Sequence, residues 1–371
     1  MGGASVADAL VAAAPRARVV LLEREAAAGY HATGRSAALF LEGYKGPVIR
    51  ALARASRRFF EAPPTGFCAN PLLTPRGALY IAREDQRTEI ERRRAAAGGE
   101  TQAPTLIDGA TARALVPVLR PEAVACALYE PDATDVDVDA LLQGFLRRFR
   151  GLGGLMVTGA TVRRLERRRG RWRVDTTAER YTATTVVNAA GAWADDVATM
   201  AGVAAIGLVP KRRTIISFDG PSEIDSRRWP FTIGVDEDLY FKPDAGRIIA
   251  SPCDETPSPA CDAQPDEWDV AVAADRVQTI TTMHIQRIHH RWAGLRTFAR
   301  DGVPVAGPDP DEPNFVWYAG QGGAGIITSA ALGRMTAALA TGAAVPADIA
   351  AQGVTAATLA PDRLRTSAEA N

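Results

Sequence analysis

The chain has 371 residues, with 43 Lys+Arg against 43 Asp+Glu and a formal net charge of zero. Apolar residues make up 47% and charged residues 23%, enough for a sizeable core and too ordered a composition for wholesale disorder. The charge balance removes the electrostatic case for nucleic acid or acidic membrane as the main partner, and no apolar run reaches the ~18 residues that span a bilayer. At roughly 150 residues per domain, the length fits two domains or one large α/β unit carrying an insertion. The N-terminus lacks the charged-then-apolar layout of a signal peptide. Cys68, Cys126, Cys253 and Cys261 contain no CxxC pair and read as free thiols. His289 and His290 have no carboxylate at helical spacing, so no metal site is expected.

In chain order, Gly2 and Gly3 lead a small-residue helix from Val6 to Ala14, ended by Pro15. Val19 to Leu22 is a continuous apolar run of the kind found in buried parallel strands, and Glu23 ends it. A glycine-led helix, a buried strand and an acid about 20 residues on form the second half of a dinucleotide-binding βαβ unit. Gly3 stands as the last glycine of G-x-G-x-x-G, and the first two glycines with their strand are expected directly upstream of Met1. Leu155–Thr158, Thr161–Leu165 and Arg171–Thr176 alternate like short antiparallel strands, with a hairpin loop from Glu166 to Gly170. Thr185 to Trp193 is a buried strand running into small residues, Gly191 among them, which admit close backbone approach by a ligand. Lys211–Phe218, Leu239–Lys242 and Arg247–Ala250 read as strands of a second region, and Cys253–Glu267 as a loop. Phe315–Ala319 is a strand, Gly320–Gly325 a glycine-rich turn and Ile326–Leu339 a helix, an arrangement that offers free N–H groups to a ligand. Asp362–Asn371 reads as a frayed tail.

Gly29–Ala38 (GYHATGRSAA) resembles the flavin-binding loop of the D-amino-acid oxidase-like flavoenzymes, and within them the FAD-dependent D-arginine dehydrogenases and their relatives. The resemblance continues through ALARASRRFFEAPPTGF (51–67), NPLLTPR (70–76), VNAAGAW (187–193), PKRR (210–213), YFKPDAG (240–246), WAGLRTF (292–298) and QGGAGIITS (321–329). It covers nearly the whole chain. It implies an α/β fold: a discontinuous Rossmann-like FAD-binding domain (1–72, 132–206 and 292–371), with an inserted substrate domain built on a mixed or antiparallel sheet (73–131 and 207–291).

By the same resemblance FAD is the cofactor, with Gly2 and Gly3 at its pyrophosphate and Glu23 on the adenosine ribose, Arg24 beside it. Ala32, Thr33, Gly34, Arg35, Ser36, Ala37, Ala38 and Leu39 would wrap pyrophosphate and flavin. Gly322, Gly323, Ala324, Gly325, Ile326 and Ile327 would line the flavin ring and ribityl chain, with Gly191 at the strand end. Val162 reads either as an adenine contact or as ordinary strand core. For the substrate, Arg296 would clamp an amino-acid carboxylate, since a guanidinium forks to two oxygens. Arg213 is a second candidate, or else a solvated strand residue. Tyr44 and Tyr240 would hydrogen-bond the carboxylate, or else are half-buried interface tyrosines. Gly323 would offer its carbonyl to the amine, and Ile326 would border the substrate.

The sequence departs from the D-arginine enzymes where a pocket glutamate is replaced by Ala78 and a His-x-Thr pair by Leu39 and Leu41. A cationic side chain would find no carboxylate there, so neutral or apolar side chains are expected. The implied activity is oxidative deamination of a small-molecule D-amino acid in amino-acid catabolism. Hydride leaves Cα for flavin N5, the imino acid hydrolyses to a 2-oxo acid and ammonia, and a quinone or O2 reoxidises the flavin. The location implied is cytoplasmic, at most peripheral at the inner membrane face. A sarcosine- or glycine-type amine oxidase is the first alternative. A non-catalytic chain without flavin is the second, because the 371 residues alone are expected to hold FAD weakly.

Overall fold

The structure is a computed structural model that describes residues 1–97 and 103–365. Helix α1 (Gly2–Ala13) buries Val6, Ala7 and Val11, and leads through a turn into strand β1 (Val20–Leu22). Strand β2 (Leu39–Phe40) precedes α2 (Pro47–Glu61), whose first-turn proline suits a helix start and whose Ile49, Leu52, Ala53 and Phe60 form the buried stripe. Next come β3 (Leu73–Pro75), β4 (Ala78–Ala82), α3 (Arg87–Ala96), β5 (Thr105–Asp108), α4 (Gly109–Leu115), β6 (Cys126–Glu130) and β7 (Thr134–Val136). Helix α5 (Val138–Gly151) starts where the Asp137 carboxylate accepts the Ala140 N–H, and it buries Leu141, Leu142, Phe145, Leu146 and Phe149.

The second half continues with β8 (Leu155–Val157), β9 (Val162–Arg168), β10 (Arg171–Thr176), β11 (Arg180–Ala183), β12 (Val186–Asn188) and α6 (Ala194–Met200). Strands β13 (Val209–Phe218), β14 (Phe231–Gly234), β15 (Tyr240–Asp244) and β16 (Arg247–Ser251) follow, and then α7 (Glu267–Ile280), capped by Asp266. The chain closes with β17 (Ile288–Phe298), β18 (Val305–Pro308), β19 (Phe315–Ala319) and α8 (Ser329–Ala340).

Among the described residues the largest sheet has eight strands in the order β17-β13-β16-β15-β14-β4-β6-β5. It is antiparallel throughout except where β14 lies parallel to β4, so the sheet is mixed. A second set consists of β1 parallel to β8 and of β12 parallel to β19, with β18 antiparallel at the outer side. A three-stranded antiparallel unit, β11-β10-β9, stands apart. Helix α1 packs between α5 and α8. A Cβ on Gly3 would sit 3.3 Å from Leu21 and 3.8 Å from Ala189, so this glycine brings the helix start against both β1 and the end of β12.

Five expectations change. Leu155–Val157 is a parallel partner of β1, since each residue of β1 pairs with it in register. Val20 in β1 is 37% exposed, because the strand is paired on one side among the described residues. The boundary placed at 292 falls inside β17, which runs unbroken through the large sheet. Helix α8 begins at Ser329, after a turn that keeps Gly325 to Thr328 outside it. Of the tail expected to fray, Asp362–Arg365 is ordered, with Arg365 bonded to Asp309 and Asp311 and Leu364 buried, and 366–371 lie outside the described residues. Among the described residues no helix is long and apolar enough to cross a membrane.

Helices α1 and α8 cross closely at Gly333, where a Cβ would lie 2.9 Å from the backbone of Ser5. Gly333→Ala therefore forces the helices apart and lowers stability by about 1–3 kcal/mol, measured by urea unfolding. Asp8, buried on α1, pairs with Arg148 of α5 at 3.1 Å while its other oxygen has no partner. Burial pushes its carboxyl up to about 6, against the pull of Arg148. The folded state thus holds this proton more tightly than the unfolded chain, and stability is lost as pH rises from about 4 to 6. In Asp8→Asn that loss shrinks by about 1–3 kcal/mol, read as unfolding free energy at pH 4 and pH 7. An unchanged pH slope would remove Asp8 as its source.

Candidate functional site

One cavity of about 1490 Å³ runs from the start of α1 to the large sheet. At its first end, Glu23 closes β1 and receives the Glu25 N–H at 3.0 Å. Arg24 lies over the Trp193 ring at 4.6 Å and pairs with Glu25. Val162 and Gly191 line the same end, Gly191 with φ 58. Thr33 is tied to the start of α1 by the Met1 amine, which donates to its Oγ1 at 2.8 Å.

The loop from Gly29 to Leu39 follows the cavity wall. Gly34 is fixed by close packing, since a Cβ there would stand 2.6 Å from the Gly29 carbonyl oxygen, and its N–H donates to that same oxygen at 2.8 Å. It does not itself line the cavity, whereas Ala32, Thr33, Arg35, Ser36, Ala37, Ala38 and Leu39 do. Arg35 does not offer a free charge to a pyrophosphate, which corrects its expected role. Its guanidinium donates to the carbonyls of Ala263 and Ala293 at 3.0 Å each and pairs with Asp262. Ser36 likewise donates its hydroxyl to the Thr33 carbonyl.

On the far wall, the turn after β19 presents Gly322, Gly323, Gly325, Ile326 and Ile327 to the cavity. Ala324 is fully buried behind them, so its expected contact is not made by its side chain. Gly322 has φ 54, and a Cβ on it would strike the Phe298 ring at 2.4 Å. The cavity thus holds the Glu23 carboxylate at one end and, further along, backbone that only glycine lets approach, a layout that fits an elongated dinucleotide lying between Glu23 and the Gly322 turn.

The other end is built on the large sheet. Arg296 comes from β17 and Tyr44 from the loop before α2, and the Arg296 Nη1 donates to the Tyr44 hydroxyl at 3.4 Å. A Cβ on Gly323 would lie 2.4 Å from that hydroxyl and 3.2 Å from the guanidinium. Among the described residues no carboxylate lies within ion-pair distance of Arg296. Burial works against its charge, but the phenols of Tyr44 and Tyr240 and the Cys253 thiol favour it, and the balance holds it above its ordinary value. Arg213 also lines the cavity but is committed, to Glu255 at 3.0 Å and to the Asp254 carbonyl at 2.9 Å. Tyr240 is buried, its ring tilted on Phe231 at 5.0 Å, and burial raises its hydroxyl pKa. Burial likewise pushes the Cys253 thiol up to about 11, against Arg213 and Arg296.

The structure therefore brings Arg296, Tyr44, Tyr240, Arg213, Gly323 and Ile326 to one place. It does not bring Ala78. That residue is fully buried in β4, packed with Leu41, Tyr80 and Tyr240, and it lines no part of the cavity. Ile215, Phe231, Ile233 and Glu237, which the sequence reading passed over, do line it, beside Leu39 and Leu41. Ile215, Phe231 and Ile233 alternate along β13 and β14, and a period-2 reading of those strands would have marked them as one face.

The chain belongs to the DAO family, the FAD-dependent oxidoreductases, whose model matches residues 1–339. FAD is its cofactor. Among solved structures, the chain is similar to the glycine oxidase from Geobacillus kaustophilus, at 20% identity and a TM-score of 0.80, covering 92% of each chain. It is similar to the L-proline dehydrogenase from P. horikoshii, at 19% identity and a TM-score of 0.82, covering 98% of this chain and 95% of that one. It is also similar to the FAD-bound L-alpha-glycerophosphate oxidase from Mycoplasma pneumoniae, at 15% identity and a TM-score of 0.81, covering 92% and 93%.

Because Gly34 tolerates no side chain, Gly34→Ala should open the Gly29–Leu39 wall. The dissociation constant for FAD is expected to rise about tenfold, ~1.4 kcal/mol, in titrations followed by flavin fluorescence. Unchanged FAD affinity would detach this loop from cofactor binding.

Proposed function

We propose that the chain catalyses oxidative deamination of D-amino acids with neutral or apolar side chains, giving the 2-oxo acid and ammonia, with a quinone or O2 taking up the electrons. The observation that carries this reading is the Arg296 guanidinium, which faces the cavity without an acid of its own and has the Tyr44 hydroxyl beside it. A half-buried cation beside a phenol, with no acid partner among the described residues, is an incomplete site, and a carboxylate completes it with two parallel N–H···O bonds. Bound FAD supplies the two-electron acceptor. The protein's residues do the rest: Arg296 and Tyr44 orient the carboxylate, and Gly323, held close by both, leaves room for the amine and Cα. Leu39, Leu41, Ile215, Phe231 and Ile233 form an apolar wall that excludes water and receives the side chain. The preference for the D series rests on the motif resemblance, and the preference for neutral side chains on this wall.

The roles are tested with Arg296→Met, which keeps volume and removes the fork. The expected loss is about 3 kcal/mol, roughly a hundredfold in kcat/KM, with flavin content unchanged. A panel of D-leucine, D-methionine, D-phenylalanine, D-arginine, their L forms, sarcosine and glycine tests the substrate class. The first three are expected to give the highest kcat/KM. A preference for sarcosine or glycine would place the chain with the amine oxidases, and a preference for D-arginine would show that an acid serves the side chain.

A further inference from the structure

At the edge of the substrate end, one carboxylate joins three segments. Glu237, in the turn between β14 and β15, accepts from Lys45 Nζ at 2.7 Å through Oε2 and from Arg93 Nη2 at 2.7 Å through Oε1. Lys45 directly follows Tyr44 in the loop before α2, and Arg93 lies on α3, its guanidinium 4.0 Å over the Tyr80 ring. Glu237 itself lines the cavity. Both Lys45 and Glu237 have left-handed backbone, with φ 61 and 55, a conformation that non-glycine residues keep only when their surroundings impose it. Burial pushes the Glu237 carboxyl up, but Lys45 first and then Arg93 outweigh it, so it is held below its usual range.

Tyr44 has weak anchors of its own. Its N–H reaches the Leu41 carbonyl at 3.3 Å and its hydroxyl reaches Arg296 at 3.4 Å, both long for hydrogen bonds. The Lys45 ammonium, by contrast, is firmly held and sits 5.3 Å over the Tyr44 ring. The Tyr44 ring packs against two apolar clusters, while its polar contacts are long, so the firmest polar anchor of this stretch of loop is the neighbouring lysine.

We propose that Glu237 is a positioning residue: by clamping Lys45 it holds Tyr44 over Arg296, and so sets carboxylate affinity and the ease with which the Leu41–Gly46 loop opens for passage of substrate and product. This rests on the assignment of Arg296 and Tyr44 as the carboxylate site. A merely structural salt bridge would alter stability and leave binding alone.

The experiment compares FAD-loaded wild type with Glu237→Gln, Lys45→Met, Tyr44→Phe and the Glu237→Gln/Tyr44→Phe double variant. In Glu237→Gln, KM for D-leucine and the dissociation constant for benzoate, read from the flavin spectrum, are expected to rise about tenfold, while kcat changes by less than about threefold. Amide exchange in residues 41–46 should quicken about tenfold, and Lys45→Met should reproduce all three effects. Because both changes act through one side chain, the double variant should bind benzoate no worse than Tyr44→Phe alone. Glu237→Asp, which keeps the charge, should recover part of the affinity. Unchanged benzoate binding and exchange in both single variants, or penalties that multiply in the double variant, would overturn the proposal. If wild type oxidises no amino acid tested, the functional reading fails, while benzoate binding and exchange still decide the role of Glu237.

Discussion

The site depends on one ladder, the antiparallel pairing of β13 with β17. It sets Lys211 opposite Arg296, Arg213 opposite Gly294 and Ile215 opposite Trp292, so these side-chain positions share a face. A slip of one residue would turn Arg296 away from the cavity. The same strand organises the cofactor walls. Gly294 leaves a gap in the face, where a Cβ would already stand 3.3 Å from Arg35, and the Gly29–Leu39 loop seats against it. The Ala293 carbonyl receives Arg35, and the Trp292 indole donates to the Arg35 carbonyl. At the far end, Phe298 bridges to Gln321 and the Gly322 N–H donates to the Thr297 carbonyl at 2.8 Å. One strand thereby fixes Arg296 at the cavity, the loop on one side and the glycine turn on the other.

Charge is distributed along the cavity by commitment. Arg35, Arg213, Lys45 and Arg93 each meet acids of the protein, Asp262, Glu255 and Glu237, and their free energy goes into holding segments together. These pairs are only partly buried and contribute little net stability, so they specify geometry more than they add strength. Arg296 is set apart because phenols and a thiol act on it most strongly, and Glu255, already paired with Arg213, acts on it more weakly. Tyr240 and Cys253 are protonated at neutral pH even at their ordinary pKa values, and burial raises both further, so neither neutralises the guanidinium in advance. A ligand carboxylate meets a full positive charge, partly desolvated, where an ion pair is worth more than at the surface.

Much of this was legible in the sequence. Small residues and glycines at the start of α1, around Asn188–Gly191 and between Gly320 and Gly325 mark where backbone must approach a ligand, and all three regions border the cavity. Arg296, Tyr240 and Arg213 were singled out from long motifs, whose order carries more information than any single spacing, and Tyr44 lies between two of those motifs; all four line the cavity. What stayed hidden is what depends on partners remote in sequence. The commitment of Arg35 to Asp262 spans 227 positions and that of Glu237 to Lys45 spans 192, and neither leaves a local pattern. The parallel pairing of β1 with β8 was masked for the same reason, since three apolar residues read alike in either direction. Ala78 shows the reverse error: a motif neighbour was placed in the pocket by position, although the register of β4 between β14 and β6 buries it in the sheet.

With Ala78 behind the wall, selectivity on the proposed reading has another origin. The side-chain end of the cavity is faced by Phe231 and Ile233 from β14 and by Ile215 from β13, together with Leu39 and Leu41. Each methylene of substrate buried there contributes about 0.8 kcal/mol, so a leucine- or methionine-sized side chain gains a few kcal/mol over glycine. A cationic side chain of equal length would have to shed water against the same wall. Among the described residues, the acid that lines this end of the cavity is Glu237, and both of its oxygens already hold cations, Lys45 and Arg93. A third cation could pair with it only by displacing one of them, which would free either the Tyr44 loop or α3. On the proposed reading, the charge that holds the Tyr44 loop is withheld from the substrate, and discrimination against cationic side chains would follow from the same contact that positions the carboxylate.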